Sequence, residues 1–119
     1  MTDGYEYTDP GELVTYTPRR GWETRYDWII RTPDVGLIVV LAGFRFDLAS
    51  VPRVFWPILA PFECGITAPL VHDHGYRHHW APRSTVDRMF RDIQLLEGVG
   101  WVRRWVTWAA VRMFGWFAW

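Results

Sequence analysis

The rhythm of apolar and polar residues changes near Asp47. Before it, the chain partly alternates: Tyr26, Trp28 and Ile30 fall on one face of an extended segment, and Glu23, Arg25 and Asp27 on the other. That period of two predicts a half-buried strand within residues 15–31. Pro33, Asp34 and Gly36 then supply turn chemistry, because Pro-Asp favours a turn start and glycine tolerates positive φ. The run from Leu37 to Phe46 is nearly continuous in apolar residues, which predicts a strand buried on both faces. The N-terminal half is therefore expected to form a small antiparallel sheet.

After Asp47 the period lengthens. Ser50 is placed to cap a short helix with Pro52 in its first turn, and Trp56-Pro57 should end it. A second helix is expected from Thr67 as cap, through Ala68, Leu70 and Val71 on its apolar side, to about Trp80. Ala81-Pro82-Arg83 interrupts it. Ser84 then caps a third helix, with Asp87 three residues on in a near capping-box arrangement. Met89, Phe90, Ile93, Leu95 and Leu96 give that helix its packed side. Gly98 and Gly100 break it, and a Trp-rich C-terminal helix fills 99–119. The expected fold class is α+β: a small N-terminal antiparallel β-sheet followed by three to four helices. Residues 1–10 read as flexible or extended, and residues 11–119 as a single α+β domain.

Composition narrows the functions. The 119 residues hold 13 basic and 13 acidic side chains. A duplex-binding protein carries a basic excess, so no nucleic-acid partner is expected. Cys64 is the lone cysteine, which leaves no disulfide within the chain and no all-cysteine zinc site. It sits between Glu63 and Gly65 without a clear base partner, a poor setting for a nucleophile. The N-terminus does not read as a secretory leader, and no apolar run has the length of a membrane span.

All four histidines fall within residues 72–79. On a helix, His72 and Tyr76 share a face, while Asp73 is turned by about 100° from His72. Histidine titrates near neutrality, so His72 suits a general base if a carboxylate orients its second nitrogen. Asp87, on the next helix, is the candidate for that. Asp73 offers a hard oxygen to calcium, with Asp47 and backbone carbonyls as further ligands. Zinc through His74, His78 and an acid is the second metal option, although no Glu follows His74 and the HExxH motif is absent. Against all of these stands a plain structural reading, in which a buried His–Asp pair ties two helices together. His74, His78 and His79 read chiefly as structural or surface groups around Trp80.

Two further segments carry candidates. In the block 47–53, Ser50 and Arg53 can hold an anion, the first at a helix start and the second as a bidentate fork. The same block can equally be a strand-to-helix junction fixed by an Asp47–Arg53 pair. The tail 101–119 holds five Trp and Arg103, Arg104 and Arg112, with no acid. A helix apolar around most of its girth must bury more than one face. It predicts contact with protein partners or a second copy of the chain, with a lipid or membrane surface as the alternative.

Three ordered blocks, GFRFDLASVPRVFW, PLVHDHGY and RSTVDRMF, resemble the DUF1353 family, which occurs in bacteria, prophages and tailed phages. The resemblance covers about 35–115 and implies matched positions at Asp47, Ser50, Pro52, Arg53, His72, Asp73, Tyr76, Arg83, Asp87 and Phe90. It implies a location in a virion or in the bacterial host cytoplasm. VHDHGYRHH also resembles the His-Asp segment of bacterial secreted phospholipases A2. That resemblance implies an antiparallel helix pair in which His72 is the base, Asp73 a calcium ligand, Asp87 the orienting carboxylate and Tyr76 its support. The chain departs from those enzymes in lacking disulfides, in a short His72–Asp87 gap, and in having residues 46–50 where they carry a glycine-rich calcium loop. Two functions follow as expectations. One is a cation-assisted ester or lipid hydrolase-like site. The other is a non-catalytic virion or tail assembly component whose His–Asp pair is structural.

Overall fold

A computed structural model describes residues 4–8, 10, 14–17, 21–46 and 66–119. The chain divides into two compact units, residues 1–47 and 48–119. Asp47, Ser50, Arg53 and Cys64, with the short helix expected around them, lie outside the described residues.

The first unit is antiparallel β structure. Strands β1 (Val14–Thr17), β2 (Gly21–Thr24) and β5 (Arg45–Phe46) form one sheet in the order β1-β2-β5, while β3 (Trp28–Thr32) and β4 (Gly36–Val40) form a hairpin. In the hairpin Ile30 stands opposite Ile38 and Trp28 opposite Val40, all four buried. Thr32 closes its turn: the hydroxyl accepts from Val35 N–H at 3.2 Å and donates to the Gly36 carbonyl at 3.1 Å. Gly36 sits at φ +85°, where glycine is favoured. Glu6 bridges to Arg31, which ties part of the N-terminal segment to this hairpin.

Two sequence expectations change here. The alternating segment is not one strand, because Arg25–Asp27 bends between β2 and β3 and leaves Tyr26 exposed. The bend is fixed by hydrogen bonds: the Asp27 carboxylate accepts from Ala42 N–H at 2.8 Å, and Thr24 Oγ1 accepts from Phe44 N–H at 3.0 Å. Strand β4 is buried on one face only, since Leu37 and Val39 are exposed while Ile38 and Val40 are not. Alternation along the strand, not apolar content, therefore decides which of these residues are buried.

Among the described residues, the second unit holds three helices and a 3-10 turn. These are α1 (Thr67–His78), α2 (Arg83–Leu96), α3 (Trp101–Phe114) and the turn Gly115–Phe117. Helix α1 packs on α2, and α2 on α3. Leu70, Val71, Val86, Met89, Phe90, Ile93, Ala110 and Val111 are buried. Helix α1 is unusual in being buried at every residue from Thr67 to Tyr76, His72, Asp73 and His74 included.

The helix boundaries depart from the capping expectations. Thr67 and Ser84 are inside their helices; the cap positions are Ile66 and Pro82, neither with a side-chain cap bond. Helix α1 stops at His78 rather than Trp80, because His79 takes a left-handed conformation (φ 50°) and its N–H closes onto the Gly75 carbonyl at 2.8 Å. Leu95 and Leu96 are exposed, so the packed stripe of α2 is Val86, Met89, Phe90 and Ile93. On α3 the buried stripe is Thr107, Ala110 and Val111, and Trp101 and Trp105 face solvent.

Candidate functional site

The contacts between α1 and α2 run in opposite chain directions: His72 meets Asp87, Gly75 meets Val86, and Tyr76 meets Arg83. The two helices are therefore antiparallel. Gly75 makes the approach possible, since a Cβ there would stand 2.7 Å from a Val86 methyl and 2.8 Å from the Trp80 ring. Within this close contact, His72 and Tyr76 project from one face of α1 at i and i+4. Arg83 and Asp87 do the same from α2.

Asp87 is the centre of the arrangement. It is fully buried and receives donors on both oxygens. Oδ1 lies 2.7 Å from His72 Nε2 and accepts from the Tyr76 hydroxyl at 2.6 Å. Oδ2 accepts from the Arg112 guanidinium at 2.9 Å, with Arg83 at 3.5 Å. Arg83 also donates to the carbonyls of Val111 at 3.1 Å and Arg112 at 3.3 Å, so it fastens α2 to the end of α3. One carboxylate thus joins all three helices.

The electrostatics follow from that geometry. Burial alone raises the pKa of Asp87, but its bonds to His72, Tyr76 and Arg112 and the His72 charge outweigh it and hold the carboxyl below its ordinary value. Burial lowers the pKa of His72, but the Asp73 and Asp87 carboxylates outweigh that and raise it. Asp73 Oδ1 stands 3.9 Å from His72 Nδ1, a distance for charge attraction rather than a direct hydrogen bond. Burial, reinforced by donation to Asp87, raises the pKa of Tyr76, which keeps it a neutral donor. The imidazole lies between the rings of Tyr76 at 4.2 Å and Phe90 at 4.8 Å, so its plane is held as well as its nitrogen.

The remaining histidines serve elsewhere. His74 Nδ1 accepts from Trp80 Nε1–H at 3.1 Å, and burial with the charges of His78 and Arg77 pushes its pKa down to about 4. The His79 ring stacks on Trp119 at 3.9 Å. Among the described residues no group of three or more His, Cys, Asp or Glu is placed to hold a metal ion. Calcium takes about six to eight oxygen ligands. Asp73 is one buried carboxylate, so the described donors do not by themselves make a calcium site.

Of the residues expected at the site, the structure brings His72, Asp73, Tyr76 and Asp87 together. The sequence marks Arg112 only as a charge in the tail, whereas in the structure it donates to the Asp87 carboxylate. Its 25-residue separation from Asp87 hides it from local spacing. The Arg83–Asp87 pair, four apart on α2, was open to inspection as helical spacing.

No curated protein matches the chain, and no solved structure does. A family model described as "Protein of unknown function (DUF1353)" matches residues 22–111, which takes in His72, Asp73, Tyr76, Arg83 and Asp87 and stops one residue short of Arg112. With most of its length inside that match, the chain belongs to the DUF1353 family.

Proposed function

We propose that His72 is a general base in a hydrolase-like site for an ester or related bond, oriented by Asp87. One observation carries this reading: His72 Nε2 lies against a buried carboxylate whose other positions are filled by Tyr76, Arg112 and Arg83. That arrangement places the proton of neutral imidazole on Nε2 and the basic lone pair on Nδ1. As Nδ1 takes a proton from water, Asp87 stabilises the imidazolium that forms. Asp73, beside Nδ1, further favours the protonated ring. Tyr76 donates to the same Asp87 Oδ1 and so helps to hold the carboxylate against His72. Calcium binding by Asp73 with Asp47 is a separate proposal, tested by calorimetric titration of the protein and of Asp73→Asn.

The test of the base is hydrolysis of nitrophenyl esters and dispersed phospholipid. His72→Gln is expected to lower the rate by about 10²-fold or more while the fold is retained. Equal rates in protein and variant would remove the hydrolase reading.

A second reading is favoured by the burial of His72, which is 2% exposed. Here the His72–Asp87–Arg112 cluster is a clip that joins three helices. The chain is then an assembly component of a virion or tail, and its exposed aromatic residues are contact surfaces. This reading expects His72→Gln to change stability and no hydrolytic rate at all.

A further inference from the structure

We propose that the groove between the start of α2 and the end of α3 is a binding site for a phosphoryl oxyanion. Ser84, Thr85, Arg88 and Arg91 line it from α2, and Trp108 and Arg112 from α3, around a cavity of about 240 Å³. Ser84, Arg88 and Arg91 stand at i, i+4 and i+7, one face of a helix. Trp108 and Arg112 are four apart on α3 and face them across the groove. Three guanidinium groups and two hydroxyls thus converge, and among the described residues no carboxylate lines the wall.

The charges nearby are accounted for. Arg112 bonds Asp87 at 2.9 Å, and Arg88 lies 3.6 Å from Asp92. Arg91 has no carboxylate partner among the described residues; its guanidinium lies over Trp105 at 4.4 Å and over Trp108 at 5.1 Å from the ring centres. That stacking holds a planar cation at the wall, with its edge N–H groups still available. Helix α2 adds to the field, because it starts with no side-chain cap and no acid in its first turn. A tetrahedral anion with several oxygens suits such a set better than a single carboxylate, since each guanidinium can engage a different oxygen. The cavity has room for a phosphate group and a short substituent, with the Trp108 ring as an apolar wall.

The phosphoryl group can come from a free phosphate compound or from an anionic lipid headgroup, and two measurements separate these. The first is calorimetric titration with inorganic phosphate in physiological salt. The second is co-sedimentation with phosphatidylglycerol vesicles against phosphatidylcholine vesicles. Arg91→Gln is expected to weaken the productive interaction by about tenfold or more, equivalent to roughly 1.4 kcal/mol. Arg25→Gln, the same charge change in the sheet unit, should leave it unchanged. Ser84→Glu puts a carboxylate in the first turn of α2, which favours the helix and repels an anion. Its melting temperature should hold or rise while binding is lost, and that opposition separates a lost site from a lost fold. Phosphate binding that depends on Arg91 supports the proposal with a soluble source. Binding confined to phosphatidylglycerol vesicles, with the same dependence, supports it with a lipid source. Binding of neither probe, or binding that survives both Arg91→Gln and Ser84→Glu, overturns it.

Discussion

Asp87 is wholly buried and charged, and its partners sit on three helices, so removing it takes the carboxylate from Arg112 and Arg83, of which Arg83 keeps its backbone carbonyl acceptors. Breaking a buried ion pair from one side costs about 3–5 kcal/mol. Asp87→Ala is expected to lose that amount in denaturant unfolding, and a loss under about 1 kcal/mol would show that Asp87 does not hold the helices together. Tyr76→Phe removes one hydrogen bond to the same carboxylate and should cost about 1.5–3 kcal/mol. The titrations give a second, pH-resolved prediction. His72 has a raised folded pKa, so its stabilisation is complete below the ordinary value of 6.5 and is lost as pH rises through the folded value. Asp87 has a lowered one, so its contribution is present above 3.8 and is lost as pH falls through the folded value. His74 opposes His72: with its pKa lowered to about 4, its contribution is present above 6.5 and erodes as pH falls toward 4. Thermal melts should therefore decline on the alkaline side in the protein and flatten there in His72→Gln. His74→Gln, which keeps an acceptor for Trp80, should instead flatten the slope between about pH 6.5 and 4. An unchanged alkaline limb in His72→Gln would refute the assigned direction for His72.

At the scale of elements, what was legible was what helical spacing encodes. His72 with Tyr76, and the α2 stripe of Met89, Phe90 and Ile93, follow from residues three or four apart on one helix. The helix ends did not, because Thr67 and Ser84 look like caps but the cap positions fall one residue earlier at Ile66 and two residues earlier at Pro82. Pro82 cannot continue a helix backwards, and its fixed φ already sets the entry angle. Leu37, Val39 and Leu41 depart from expectation for a different reason: their apolar character predicts burial, whereas the pleat sends them to the open face of the hairpin. Gly75 is the element-scale feature that composition alone cannot rank. Alanine there is better for an isolated helix by about 1 kcal/mol. In this fold its methyl would meet Val86 at 2.7 Å and Trp80 at 2.8 Å. Gly75→Ala is therefore expected to destabilise by about 1–3 kcal/mol despite its propensity gain, and to shift the His72 and Asp87 side chains against each other. A stabilised variant in chemical denaturation would show that α1 and α2 have slack at this point.

At the scale of the whole molecule, each unit keeps apolar surface facing solvent. On the hairpin, Ile29 and Val39 are cross-strand partners and both exposed, with Leu37 and Leu41 beside them. On α3 the solvent side carries Trp101, Val102, Trp105 and Met113, opposite the buried Thr107, Ala110 and Val111. The aromatic richness of the tail was plain in the sequence, but the face it presents was not. Five tryptophans spread over helix and turn satisfy several stripes at once, and only packing selects the Thr107 side as the buried one. Among the described residues no helix is long and apolar enough to cross a membrane. Exposed aromatic patches of this kind are consistent with protein contacts, and the expected outcome is association through α3. Sedimentation velocity should show a mass above the 14.1 kDa of one chain, rising with concentration. Trp101 is 69% exposed and Met113 65%, so replacing both with lysine should cost the isolated fold little. That double variant should sediment as a single chain, while the matching Leu37→Lys, Val39→Lys change in the hairpin leaves association intact. If the hairpin variant dissociates and the α3 variant does not, the contact surface belongs to the sheet. A single chain at all concentrations would reserve both faces for a different partner.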